Sequence, residues 1–426
     1  MLVNFSVENY LSFKSRVIIN FQAGSIKDYK DNVYSPLLHQ NTGILKSIGI
    51  FGHNAGGKSN IIKAMSFMRE FVLNSSKESQ SIKDIPVQPF RLSVNTELQP
   101  STFETVFIIN DIKYKYGFSL TQKNVESEWL FSTVRKKEEL IFIRAKGNYS
   151  VDKKFKNEIK GKFELFEEIT RNNSLFLSVL AQFNNPLCLT ITKWFSNILV
   201  ARDTDHLALI DFTAKLLSVG EYRKWVNDII RKSDLGIESV EEKIREIAAK
   251  KNYSIEFLAS VFKDEIKDYS IRTTHMKYNR EDNPQERVYF DLIENESLGT
   301  QKFFGILGPI LYALKERAIL WIDEIDARMH TLLLDNVINL FNSKKYNPNG
   351  AQLIFTSHNT NLMKKGLRRD QMLFIEKDKK GISTLDSLHN KHPKVRNDAT
   401  FDKDYLLGKY GAIPNTGSQL NLFDSL

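Results

Sequence analysis

One segment of the sequence has residue types and spacing suited to binding phosphate. Residues 52–59 read Gly-His-Asn-Ala-Gly-Gly-Lys-Ser, which fits the pattern G-x-x-x-x-G-K-[ST]. Glycines let the backbone close around phosphate groups, whose charge is met by exposed N–H groups and by the N-terminus of the next helix. In such a loop Lys58 would neutralise the β- and γ-phosphates of ATP, and the Ser59 hydroxyl would bind Mg²⁺. The predicted nucleotide contacts of this loop are Gly52, Asn54, Ala55, Gly56, Gly57, Lys58 and Ser59.

A second candidate half of the same site is an apolar run that ends in two acidic residues. Ile319 to Ile322 are apolar, and Asp323 and Glu324 follow. Such a strand would place Asp323 at its carboxyl end beside the magnesium, and Glu324 would position or deprotonate the attacking water. Buried strands also end in polar turns for structural reasons alone, so this run by itself leaves both interpretations open.

The elements that position the N-terminal half of the site follow from apolar periodicity. Ser47 to Phe51 has a buried-strand pattern, and apolar residues recur at helical spacing after Ile61. A strand therefore feeds the loop, and the loop opens a helix. Alternation between Thr102 and Tyr149 predicts an antiparallel β layer, with Asn110-Asp111 as a hairpin turn.

The rest of the chain divides into a helical part and an alternating part. From about Lys154 to Lys250 the pattern is helical, which predicts an inserted lobe, and sustained heptads are absent. Strand and helix patterns then alternate from Tyr269 to Thr356. This alternation predicts an α/β fold.

The composition limits the class of protein. A chain of 426 residues that is 42% hydrophobic and 26% charged is long enough for a sizeable core and an accessory lobe. The single cysteine, Cys188, excludes an intramolecular disulfide and a cysteine-based zinc site, and we expect it in the core. The longest apolar run, Phe303 to Leu314, is shorter than the roughly 20 residues that cross a bilayer. With no secretory signal visible, we expect a cytoplasmic protein without a membrane partner.

The distance between the two half-sites indicates a family. Lys58 and Asp323 lie more than half of the chain apart, and the β layer and the helical lobe fill the gap. The loop of residues 52–59 is a Walker A motif, and the apolar run that ends in Asp323 and Glu324 is a candidate Walker B motif. A chain with a long insertion between these two motifs resembles the ABC-type ATPases of the SMC and RecF kind. The opening residues 4–15 look like that family's first strand pair, and Asn60 extends the loop as G-K-S-N, as is frequent there. The resemblance covers residues 1–150 and 265–378.

Four further segments stand where this family has its nucleotide motifs. Ser297 to Gln301 stands at the signature motif, and His358 stands at the switch histidine. Gln88 resembles the Q-loop glutamine that senses magnesium, and Asp326 resembles the D-loop aspartate. Each has an ordinary alternative: a helix N-cap for Ser297 and Asp326, a core or loop histidine for His358, and an incidental glutamine for Gln88. The residues that the resemblance adds to the nucleotide site are Asn60, Gln88, Ser297, Gly299, Gln301, Asp326 and His358, with Gln88 also near the metal.

The predicted organisation is an ABC-type ATPase head split by an insertion. Its fold class is α/β, a mixed sheet with the P-loop plus an antiparallel β layer. Residues 1–150 would form the N-terminal half of the head, 151–264 the inserted helical lobe, 265–378 the C-terminal half and 379–426 an extension and tail.

The function that the resemblance implies is a switch driven by ATP. The signature has Thr300 in place of a glycine, which resembles the divergent ATPases of abortive-infection and other antiphage operons. In the family two subunits close around ATP, so we expect a homodimer or higher oligomer in which Lys58, Glu324 and His358 are catalytic. We expect a separately encoded effector, such as a TOPRIM-type nuclease. The alternative is a RecF-like ATPase that binds DNA in repair or chromosome maintenance, and a transporter ATPase is a weaker third.

Three features remain outside the ATPase site. His389 and His392 lie near Asp386 and could belong to a nuclease or metal cluster, although histidines in polar loops are usually solvated. Gln419 to Phe423 resembles a peptide that docks on the replication sliding clamp, or it folds back on its own domain. The net charge of +9, with basic segments at 153–162 and 364–369, permits DNA contact but does not require it.

Overall fold

The computed structural model describes residues 1–36, 43–77, 84–134, 137–159, 161–244, 269–364, 366–391 and 400–412. The strands in these residues are β1 (Leu2–Glu8), β2 (Val17–Asn20), β3 (Val33–Tyr34), β4 (Ile44–Leu45), β5 (Ser47–Phe51), β6 (Ser101–Ile109), β7 (Ile112–Leu120), β8 (Val125–Thr133), β9 (Glu138–Ala145), β10 (Asn148–Val151), β11 (Ile198–Ala201), β12 (Ser239–Ile244), β13 (Tyr269–Tyr278), β14 (Pro284–Asp291), β15 (Ile319–Ile322), β16 (Gln352–Ser357), β17 (Met372–Lys377) and β18 (Ser383–Ser387). The helices are α1 (Lys58–Asn74), α2 (Lys153–Glu158), α3 (Phe163–Ile169), α4 (Phe176–Gln182), α5 (Pro186–Ser196), α6 (His206–Leu217), α7 (Gly220–Lys232), α8 (Leu292–Asn295), α9 (Leu298–Glu316), α10 (Thr331–Asn342), α11 (Leu388–Lys391) and α12 (Phe401–Leu406).

A six-stranded sheet carries the predicted site. Its strand order is β11-β15-β16-β5-β17-β18, and only the β17–β18 pair is antiparallel. Every residue of β5 and of β15 is buried, as their continuous apolar runs predict for strands covered on both faces. In register, Phe355 of β16 lies opposite Ile322, and Ser357 lies opposite Phe51. The carboxyl ends of β15, β16 and β5 therefore meet at one edge.

A seven-stranded sheet in the order β10-β9-β8-β7-β6-β1-β2 forms a second layer, and all of its pairs are antiparallel. Its β6–β7 hairpin turns at Asn110 and Asp111, both with positive φ, as a two-residue turn of type I′ requires. The predicted antiparallel layer is confirmed. One buried core lies between this layer, helices α1, α4 and α5, and one face of the six-stranded sheet, and it includes Cys188 as expected. A second core lies on the opposite face, under α6, α9 and α10.

The region from residue 151 contains the predicted helices, α2 to α7, but it also contributes strands. β11 pairs in parallel with β15, from Ile198 opposite Ile319 to Ala201 opposite Ile322. β12 joins β13 and β14 in a separate three-stranded sheet. β11 was not predicted, because a four-residue apolar run cannot be told from a turn of buried helix by periodicity. Residues 245–264 of the predicted lobe lie outside the described residues.

Helix α9 runs for 19 residues through Pro309, a residue that usually interrupts a helix. A proline at this position removes the N–H that would bond to the carbonyl of Gly305. The Thr213 hydroxyl of α6 donates to that carbonyl at 2.8 Å and accepts from the Gly308 N–H at 3.0 Å. The helix therefore continues without losing a buried hydrogen bond. Among the described residues, no helix is long and apolar enough to span a membrane.

Candidate functional site

The loop of residues 52–57 lies between the end of β5 and the start of α1, which is the context that the sequence predicts. Its glycines are required by space and by backbone conformation. A Cβ atom on Gly52 would lie 2.3 Å from the carbonyl oxygen of Ile375, and Gly57 has a φ of 116°. Ala55 also has a positive φ, 61°, so the loop turns back on itself before the helix begins. Such a loop leaves backbone N–H groups at the N-terminus of α1 available to an anion.

Lys58 lies folded over this loop rather than extended into solvent. Its ammonium donates to the carbonyl oxygens of Gly52 at 2.8 Å and His53 at 2.9 Å, and it lies 3.3 Å from Nδ1 of His358. The residue is only 5% exposed. Burial lowers the pKa of Lys58 to about 8, although the nearby carboxylates of Glu324, Asp323 and Asp326 oppose the shift. The carbonyl oxygens that this ammonium contacts are neutral. A bound phosphate would instead give it an anionic partner.

The pKa of Lys58 predicts that ATP binding depends on pH above neutrality. Bound phosphates favour the charged ammonium, so the protein takes up a proton when it binds ATP near pH 8. Affinity is therefore highest below pH 8 and falls by up to about tenfold for each pH unit above it. Calorimetric titration with Mg-ATP between pH 7 and 9.5, in buffers that differ in ionisation enthalpy, measures both effects. In Lys58→Arg, whose guanidinium stays charged, this pH dependence is expected to vanish. An affinity of the unaltered protein that stays constant over this range would contradict the assignment.

Asp323 and Glu324 follow β15 directly and are held by the neighbouring strand. The Thr356 hydroxyl of β16 donates to Oδ1 of Asp323 at 2.6 Å and accepts from the Glu324 N–H at 2.7 Å. Glu324 has a φ of 50°, in the left-handed region, and both acidic residues are half-buried. The acidic pair therefore has a fixed backbone at the sheet edge that also carries the loop of residues 52–57.

His358 follows β16 at the same edge. Its backbone N–H donates to Oδ2 of Asp326 at 3.1 Å, and its ring faces the Lys58 ammonium. Burial and the charge of Lys58 lower the pKa of His358, so the neutral imidazole is favoured. The structure thus brings Lys58, Asp323, Glu324, Asp326 and His358 to one edge from three adjacent strands.

The oxygen-rich character of this edge fits a magnesium nucleotide. Mg²⁺ prefers oxygen ligands and few protein side chains, because it usually keeps waters and phosphate oxygens. Ser59 at the start of α1 and Asp323 would supply those ligands. Oδ1 of Asp326 is buried and has no hydrogen-bond partner in the described part of the chain, so the edge retains an acceptor there. Within the described ranges, no group of three or more His, Cys, Asp or Glu side chains is arranged to hold a metal ion.

The predicted signature residues lie at the start of α9. Ser297 caps this helix by accepting from the Thr300 N–H at 3.1 Å, and its side chain also lies 3.0 Å from the Thr300 hydroxyl. Gly299 is required because a Cβ atom there would lie 2.6 Å from the Arg328 carbonyl oxygen. Gln301 is buried, and its amide donates to the carbonyls of Ile293 and Glu296. Among the described residues, no hydrogen bond joins Ser297 or Gln301 to the loop of residues 52–57.

The other predicted contacts have different positions. Gln88 accepts from the Leu11 N–H through its backbone carbonyl at 2.9 Å, and its side chain is exposed. Asn60 donates from its side-chain amide to the Ser12 hydroxyl at 2.7 Å, which ties α1 to the turn after β1. His389 lies against Gly24, whereas His392 and the segment Gln419 to Phe423 lie outside the described residues.

Several residues that support the site were not predicted. The Ser383 hydroxyl of β18 donates to the Gly56 carbonyl at 2.8 Å, and the Ala412 carbonyl accepts from the His53 N–H at 3.1 Å. Thr356 and Lys302 were not predicted either, and both form hydrogen bonds with the backbone of Glu324. Thr356 lies two residues before the predicted switch histidine, His358, so its position in the sequence could have indicated that it supports the site. The sequence carries no comparable sign for Ser383 or Ala412, which approach from far along the chain.

Comparison with known proteins identifies a matching family. A family model described as "AAA domain, putative AbiEii toxin, Type IV TA system" matches residues 47–364. The matched range contains the loop of residues 52–57, the acidic pair and His358. The search of curated proteins found no match to the chain.

Proposed function

The chain belongs to this AAA-domain family, a group of abortive-infection ATPases of the ABC type, and from that premise we propose that it binds and hydrolyses ATP as a switch in antiphage defence. The observation that carries the proposal is the convergence of Lys58, Asp323, Glu324 and His358 at the carboxyl ends of β5, β15 and β16. Ligands of parallel α/β sheets bind at this edge. We propose that the split head comprises residues 1–150 and 265–378, that β11 and β18 add an edge strand each to its sheet, and that it acts in the cytoplasm.

The residues at this edge have separable roles in hydrolysis. Lys58 would leave the loop carbonyls and pair with the β- and γ-phosphates, while Ser59 and Asp323 would hold Mg²⁺. The metal would neutralise phosphate charge when bound. Glu324 would orient the attacking water and take its proton, and His358, kept neutral beside Lys58, would donate a hydrogen bond toward the γ-phosphate.

We propose that a second copy of the chain completes the site. Ser297 is exposed at the N-terminus of α9, where helix N–H groups favour an anion. Leu298 beside it is 51% exposed, and Leu332 after the Asp326 loop is 65% exposed. Burying these leucines against a symmetry-related copy would favour a closed dimer, or a higher oligomer, with ATP between the subunits.

The basic segment at 364–369 does not support the alternative of a RecF-like DNA-binding ATPase. Arg368 is 3% exposed and donates to Asp370 and to the carbonyls of Gly24, Ile26 and Asp28. Lys364 lies 3.6 Å from Asp402. Arg368 is therefore used inside the fold, and Lys364 is paired with a carboxylate at the surface. We propose that the switch acts through a separately encoded effector, such as a TOPRIM-type nuclease, rather than through DNA held by this segment.

Phage challenge of cells that carry the gene with its neighbouring genes tests this function. The intact locus is expected to lower phage plating efficiency, and a locus with Lys58→Met is expected to lose that protection because nucleotide binding fails. Equal protection by both loci would show that ATP is not the switch. Salt-sensitive, ATP-dependent duplex binding without protection would instead support the DNA-binding alternative.

A further inference from the structure

The backbone of Glu324 is held in an unusual conformation by side chains from two other elements. Its φ of 50° lies in the left-handed region, which a residue with a side chain adopts rarely. Its N–H donates to the Thr356 hydroxyl at 2.7 Å, and its carbonyl accepts from the Lys302 ammonium at 3.0 Å. Both peptide groups that flank the side chain are therefore fixed.

Thr356 has further contacts with the same turn. Its hydroxyl proton goes to Oδ1 of Asp323 at 2.6 Å, and its carbonyl accepts from the Ile325 N–H at 3.1 Å. The residue is fully buried in β16, between the strand that leads to Asp323 and the strand that leads to the loop of residues 52–57. One hydroxyl thus fixes the orientation of the Asp323 carboxylate and the backbone of Glu324 together.

Lys302 reaches the turn from α9, five residues after Ser297. It is 7% exposed, and it lines a small pocket together with Asp323, Arg202 and His206. A buried ammonium needs polar partners, and the Glu324 carbonyl is one of them. The helix that begins at Ser297 is therefore tied to the backbone of Glu324 within the same chain.

We infer that Thr356 and Lys302 are positioning residues for hydrolysis: together they hold Glu324 in the left-handed conformation that aims its carboxylate beside Asp323. This inference rests on the proposed ATP hydrolysis. It implies that a shift of α9 on dimer closure moves the Glu324 backbone through Lys302. Neither residue needs to touch the nucleotide for this effect.

Thr356→Val tests the inference because valine keeps the shape and removes the hydroxyl. Its kcat is expected to fall about tenfold to a hundredfold, since small misplacements of a catalytic group have effects of this size, while the Kd for ATP stays within about twofold. Thr356→Ser, which restores the hydroxyl, is expected to recover most of the turnover. Lys302→Met, which keeps the apolar stem, is expected to lower kcat with the same unchanged Kd.

The matched control is Thr105→Val, which removes a buried strand hydroxyl bonded to the Asn4 carbonyl in the seven-stranded sheet. It is expected to lower the melting temperature without changing kcat. If the unaltered protein hydrolyses ATP and neither Thr356→Val nor Lys302→Met lowers kcat more than this control does, the inference is overturned. If the unaltered protein does not hydrolyse ATP, the proposed function fails instead.

Discussion

Glu324→Gln is expected to lower ATP turnover by about 10²–10⁴-fold, the usual contribution of a general base, while ATP binding is retained. Glutamine keeps the size of glutamate, but it replaces one carboxylate oxygen by an NH₂ donor and cannot take a proton from water. Lys58, Ser59 and Asp323 remain unchanged, so the phosphates and magnesium still have their partners. A coupled assay for phosphate release and a fluorescent ATP analogue measure turnover and binding separately.

An exposed glutamate outside the site provides the control for this change. Glu164 of α3 pairs with Lys156 at the surface, and Glu164→Gln is expected to leave turnover unchanged. If Glu324→Gln turned over ATP as fast as the Glu164→Gln control, Glu324 would not be the base. Loss of ATP binding in Glu324→Gln would instead assign it to the nucleotide contacts.

Ser297→Asp is expected to abolish ATP-driven association of two chains without affecting ATP binding to one chain. Aspartate caps a helix as well as serine does, so α9 keeps its first-turn hydrogen bond. Its carboxylate, however, would stand beside the γ-phosphate of the second subunit, where like charges repel. Sedimentation with and without Mg-ATP, in the Glu324→Gln background that prevents turnover, measures the association.

Ser297→Asn is the matched partner of this variant, because asparagine has nearly the same shape and is an equally good cap without the charge. It is expected to retain association, at reduced affinity. If the aspartate and asparagine variants associate equally well, Ser297 does not meet a phosphate across the interface. Two measurements show whether either variant is folded. An unfolded variant would lose its cooperative melting transition, and its single chain would no longer bind ATP.

The arrangement at the sheet edge followed from the sequence because it depends on local patterns. The run Ser47–Phe51, the glycine-rich loop and the helical spacing after Ile61 each specify a local element. Parallel strands then bring their carboxyl ends together, which places Asp323 near Lys58 despite their separation in sequence.

The residues that could not be predicted depend on tertiary packing. Ser383 and Ala412 hold the loop of residues 52–57 through hydrogen bonds to its backbone. Because many residue types can form such bonds, the sequence does not mark these two positions. Pro309 in α9 is tolerated only because Thr213 of another helix supplies the missing donor. Thr356 and Lys302 act on the backbone of Glu324, whose left-handed conformation has no signature in a glutamate side chain.

Sedimentation velocity of Glu324→Gln with and without Mg-ATP tests the account most directly. Without nucleotide the variant is expected to sediment as the smaller species, and with Mg-ATP it is expected to shift to a stable dimer or higher oligomer. Lys58→Met in the same background is expected to abolish the shift, because it removes the cation that meets the phosphates. A Glu324→Gln protein that binds ATP and sediments identically in both conditions would contradict closure of two subunits around the nucleotide.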